Sequence, residues 1–160
     1  MTEELYNFWF NQELKYLLHL SNKKYIPEIL LIDTKKRIIE FKWYNKNLNV
    51  MIENNTINKV KNWQKKIKAI KDDLEKDNIF KINMYPHTFY FDDDDNAYIM
   101  DLYGCTDKHT RYLDTKYLKP LIRTNRFDKF IINDQLDTHE LYNETIKTNY
   151  AEWPGDFLNA

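Results

Sequence analysis

The chain has 160 residues and a mass of 19.7 kDa, with 42% hydrophobic and 16% aromatic residues. That is too apolar for a disordered chain and enough for one domain with its own core. Its two glycines, Gly104 and Gly155, compare with about eleven at average usage, and cannot build a P-loop, a GxGxxG turn or a GxSxG elbow. Lys and Arg number 24 against 25 Asp and Glu, net charge −1, so no overall field favours nucleic acid.

Residues 3–20 are expected to be helical. Thr2 is a candidate N-cap, Glu3 and Glu4 sit in the first turn, and Leu14, Leu17 and Leu18 continue an apolar stripe. Pro27 ends that region. Glu28–Ile32 and Arg37–Trp43 are rich in β-branched and aromatic residues and flank Asp33–Lys36, which reads as a hairpin. The clearest helical pattern covers residues 57–77, where Ile57, Val60, Trp63, Ile67, Ile70 and Leu74 step by three or four. Asp77 and Asn78 close it. A second hairpin is expected from Thr88–Phe91 and Tyr98–Leu102 around the acidic turn Asp92–Asn96. Beyond Gly104, short helices are expected near 115–122 and 138–150, with an aromatic turn at 153–157.

Several groups carry competing readings. The run Asp92–Asp95 has neither the oxygen spacing, the Gly nor the closing Glu of a calcium loop, and reads as a solvated turn. His19, His87, His109 and His139 form no metal-ligand motif. The single Cys105 excludes an internal disulfide and a cysteine zinc cage, and reads as a small buried residue in a reducing interior. Lysines 59, 61, 65, 66, 68, 71 and 76 make the one basic cluster, but Asp72, Asp73, Glu75 and Asp77 interrupt it, so a solvated face is expected rather than a phosphate grip. Tyr6, Phe8, Trp9 and Phe10 exceed what one side of a short helix buries; a docking patch and core packing both remain open.

Lys81-Ile-Asn83-Met-Tyr-Pro86-His-Thr88 lies between the long amphipathic helix and the second hairpin. In this place the chain resembles a protein kinase, whose catalytic loop follows the same order of helix, two strands, link, long helix, loop, hairpin and Asp motif. The resemblance aligns Lys81 with the loop's His or Arg, Asn83 with the catalytic base, Pro86 with the loop proline and Thr88 with the metal-binding Asn. Asp101, in Asp101-Leu-Tyr103-Gly104, aligns with the Asp of D-F-G. Glu13 resembles the helix glutamate that pairs with the family's lysine, and Ile39–Tyr44 resembles the strand entering the hinge.

The departures are chemical. An amide at Asn83 cannot accept a proton near pH 7, and Thr88 offers a hydroxyl where the family uses an amide. Only twelve residues precede Glu13, too few for a Gly-rich strand pair and a lysine strand. Asn83 and Thr88 also read as turn residues bonding the backbone, and Asp101 as a strand-end cap.

The resemblance implies an α+β fold like a kinase C-lobe with a reduced N-lobe of helix plus hairpin. Residues 8–105 would form the kinase-like region and residues 106–160 a helical extension of one domain. It implies a truncated pseudokinase acting as an interaction or regulatory protein through a protein partner or a second copy. The alternatives are an atypical phosphotransferase using Mg²⁺ and ATP, with Asp101 as metal ligand and Glu13 beside the cofactor, or an assembly protein unrelated to kinases. No membrane span, secretory signal or specific nucleic-acid site is expected, and a cytoplasmic location fits. The 20 Lys against 4 Arg fit an AT-rich viral, phage or bacterial genome.

Overall fold

Thr2 starts the first helix as its sequence requires: its Oγ1 accepts from the Leu5 N–H at 3.2 Å, capping α1 (Glu3–Leu20) with two acids in the first turn. The computed structural model describes residues 2–81 and 84–107. Asn83, His109, His139, the expected helices near 115–122 and 138–150, and the turn at 153–157 lie outside the described residues.

The first hairpin forms as expected. β1 (Ile29–Asp33) pairs antiparallel with β2 (Ile38–Phe41), with a bulge between Ile29 and Leu31. Ile29, Ile39 and Phe41 pack against the core, whereas Leu30, Leu31 and Ile38 stand exposed on the other face. Arg37 at the turn reaches α1, donating to Asn7 and pairing with Glu3.

β3 (Lys46–Asn47) leads directly into α2 (Leu48–Glu53), two short elements that the sequence reading missed. Asn47 does two jobs. Its Oδ1 caps α2 by accepting from Val50 N–H, and its Nδ2 donates to the carbonyl of His87 at 3.0 Å.

The helix expected over 57–77 is shorter. Ile57–Lys59 form one 3-10 turn, Asn62 is left-handed (φ 59°), and α3 runs only over Trp63–Lys76. Ile57 and Val60 are buried all the same. A 3-10 turn also repeats every three residues, so a spacing of three mimicked helical periodicity. Within α3, Trp63, Ile67, Ile70 and Leu74 are buried, while Lys68–Asp72 and Lys71–Glu75 form exposed ion pairs one turn apart. Lys59, Lys61, Lys65 and Lys76 are exposed, whereas Lys66 is half-buried and donates to the Asp95 carbonyl at 2.7 Å.

β4 (Ile79–Lys81) pairs antiparallel with β7 (Cys105–Asp107). β5 (Phe89–Phe91) and β6 (Ala97–Ile99) form the second hairpin, with β3 on the outer side of β5. Its turn is built on Asp92, whose carboxylate accepts from the N–H groups of Asp94 and Asn96 and from Tyr98. The second strand ends earlier than expected: Asp101 is left-handed (φ 59°, ψ 54°) and Leu102–Gly104 form a 3-10 turn.

One core joins these pieces. Leu17 and Leu20 of α1, Leu48 and Ile52 of α2, Ile67 and Leu74 of α3, and Phe89, Phe91, Ile99 and Leu102 belong to a single buried cluster. Ile67→Ala should therefore cost about 2–4 kcal/mol in urea unfolding, whereas Leu30→Ala, at 60% exposure, should change stability by no more than about 0.5 kcal/mol.

Candidate functional site

α1 lies along the segment from Asp101 to Asp107. Trp9 packs on Tyr103 with ring centroids 5.2 Å apart, and Gln12 Nε2 donates to the Cys105 carbonyl at 3.1 Å. One turn beyond Trp9, the Glu13 carboxylate accepts from the backbone N–H groups of Leu102 and Tyr103. Its Oε2 is buried and has no hydrogen-bond partner among the described residues.

The β4–β7 ladder sets Lys81 opposite Cys105, and Lys81 is buried with 8% exposure. There it acts electrostatically on both Glu13 and Asp101. Burial first, then the Asp101 charge, push the Glu13 carboxyl up to about 7, against the pull of Lys81 and the two N–H groups. Burial likewise raises the Asp101 carboxyl above the usual carboxylate range, and Lys81 opposes it. Cys105 is fully buried, and burial pushes its thiol up to about 12, so it remains protonated and is no nucleophile at neutral pH.

Three of the residues singled out from sequence thus converge: Glu13 from α1, Lys81 from the end of β4, and Asp101 after β6. Thr88 does not join them. It is fully buried, its hydroxyl donates to the Tyr85 carbonyl at 2.8 Å, and its own carbonyl accepts from Met100 N–H at 2.8 Å. The side chain holds its loop closed as a turn residue does. Sequence reasoning placed Lys81 in the loop but not as the buried charge partner of the two carboxylates. That role depends on the β4–β7 pairing, which no local pattern announced.

Three solved structures of WbdD are similar to this chain in fold. The monomeric form matches with a TM-score of 0.53 at 12% identity, over 88% of this chain and 37% of that one. The complex of WbdD with the kinase inhibitor LY294002 matches with 0.54 at 12% identity, over 95% and 39%. The structure described as the bifunctional kinase-methyltransferase WbdD matches with 0.53 at 12% identity, over 93% and 37%. The fold is kinase-like. The likeness extends to the α+β fold, and this chain spans under two fifths of the length of those WbdD chains. No protein-family model matches the chain, and no curated protein is similar to it in sequence.

Among the described residues no group of three or more His, Cys, Asp or Glu side chains is placed to hold a metal ion. Lys81 brings its charge to Glu13 and Asp101, and Thr88, bonded to the Tyr85 carbonyl, is fully buried. No helix among the described residues is long and apolar enough to cross a membrane.

The raised carboxyl of Glu13 has a defined sign. Its pKa in the folded chain, about 7, exceeds its ordinary 4.5, so its contribution to stability is fully present below about pH 4.5 and is lost as pH rises through 7. Glu13→Gln should therefore stabilise the chain by roughly 1–3 kcal/mol at pH 8 relative to pH 5, read from urea melts at both pH values. Lys81→Met leaves two half-buried carboxylates without their cation and should destabilise the chain by up to about 3–5 kcal/mol at pH 8, with much of the loss recovered at pH 5.

Proposed function

We propose that this chain is a non-catalytic, kinase-like protein that works by presenting a surface to a protein partner. The observation that carries this reading is the commitment of Thr88. The residue at the kinase metal-binding position spends its one hydroxyl proton on the Tyr85 carbonyl inside its own loop, fully buried. The donated proton leaves the oxygen's lone pairs unused; it is the full burial of Thr88 that keeps them from a cation in solvent.

Two further features support the reading. Asn83 stands where the kinase loop carries its carboxylate base, and an amide does not take a proton from a substrate hydroxyl near neutral pH. Asp101 is half-buried, within the field of Glu13 and Lys81, with its carboxyl shifted toward the protonated form by desolvation. Phosphoryl transfer needs base, metal ligands and phosphate-binding groups together, so changes at two of these positions act in concert. WbdD is a bifunctional kinase-methyltransferase; in this reading the present chain keeps a similar fold with its polar positions turned to structural use.

The test is ligand-linked stability. A ligand that binds only the folded state raises Tm with its concentration. Mg-ATP should leave Tm unchanged, and Asp101→Ala should respond to Mg-ATP no differently from the wild-type chain. A rise in Tm that is abolished in Asp101→Ala, together with release of ADP, would overturn the proposal in favour of a phosphotransferase.

A further inference from the structure

The first hairpin is an incomplete sheet. β1 and β2 pair only with each other among the described residues, and a two-stranded sheet seldom stands without further strands or a covering element. Its inner face rests on the core through Ile29, Ile39 and Phe41. Its outer face exposes Leu30 (60%), Leu31 (48%) and Ile38 (42%), and Trp43 beyond β2 is 75% exposed. An exposed strand edge next to such a surface is a template for another strand.

We propose that the outer edge of β2 pairs antiparallel with β2 of a second copy of this chain, about a two-fold axis at Phe41. This goes beyond the proposed function and does not depend on whether a nucleotide binds. The backbone sets the first constraint. Lys42 N–H donates to the Glu28 carbonyl, toward β1, and β2 keeps regular alternation because the bulge lies in β1. The N–H and C=O groups of Ile39, Phe41 and Trp43 therefore point to the outer edge. An antiparallel partner must bond to those residues.

Charge then selects the register. A pairing centred on Phe41 sets Glu40 opposite the second copy's Lys42 and, by symmetry, Lys42 opposite its Glu40, giving two opposite-charge pairs on the outer face. Shifting the axis to residue 40 sets Glu40 against itself, and shifting it to residue 42 sets Lys42 against itself. The other edge of the hairpin is not self-complementary: β1 and its flank carry Glu28 and Asp33 and no cation. The Phe41 register also brings exposed Trp43 beside the second copy's Ile39, covering an aromatic of the kind that anchors interfaces.

Sedimentation of the full 160-residue chain between about 1 and 100 µM should show a monomer–dimer equilibrium. Glu40 and Lys42 are exposed, so reversing them leaves the fold intact, which circular dichroism checks. Glu40→Lys alone and Lys42→Glu alone should each weaken the dimer about tenfold. The double reversal E40K/K42E recreates both pairs with signs exchanged and should restore wild-type dimerisation to within about threefold. Trp43→Ala should weaken it as well. A chain that stays monomeric throughout overturns the proposal. A dimer that ignores the single reversals, or that the double reversal fails to restore, overturns it equally, because it places the contact elsewhere.

Discussion

The buried ammonium of Lys81 is the constraint on which the rest of the structure turns. It sits at the end of β4, opposite Cys105 of β7, where its charge is felt by Glu13 of α1 and by Asp101 after β6. Two carboxylates taken out of water repel each other and are driven toward protonation; one lysine offsets part of that cost. The cluster therefore joins the first helix, the β4–β7 ladder and the turn after the second hairpin. Glu13 adds direct bonds by accepting the N–H groups of Leu102 and Tyr103, the donors at the start of a 3-10 turn.

The local backbone answers to the same constraint. Asp101 is a non-glycine residue in the left-handed region, a conformation that costs free energy and persists where surroundings over-determine it. Here the turn ends β6, lets Leu102 enter the core and directs the chain into β7. On the other side of the site, Asn47 ties the start of α2 to the His87 carbonyl, and Thr88 closes the 3-10 turn at Pro86–Thr88. The Pro86–Thr88 turn is thus held by bonds to its own backbone and to the start of α2.

Much of the architecture was legible in the sequence, for identifiable reasons. Thr2 with two acids after it marks a helix start, and the alternation around Asp33–Lys36 marks a hairpin. The acidic run after Phe91 reads correctly as a turn because Asp92 folds back on its neighbours' N–H groups. Two errors share one cause. Ile57 and Val60 belong to the core but not to α3, and Leu102 belongs to the core but not to β6. Burial was visible from residue type, but the left-handed residues Asn62 and Asp101 that break the elements were not. α2 and the short strands β3, β4 and β7 escaped because two to six residues carry too little periodicity.

The α+β class, the order of helix, hairpin, long helix and hairpin, the absence of a glycine-lined phosphate cradle and the identities of Glu13, Lys81, Thr88 and Asp101 follow from the chain's own letters. These are matters of composition and short-range pattern. The tertiary structure decided which of those residues meet. The β4–β7 ladder, with its partners more than twenty residues apart in sequence, brought Lys81 to the two carboxylates, while Thr88 was turned onto Tyr85. Burial and the field of neighbouring charges arise only once distant segments pack, and those two quantities set what each side chain here can do.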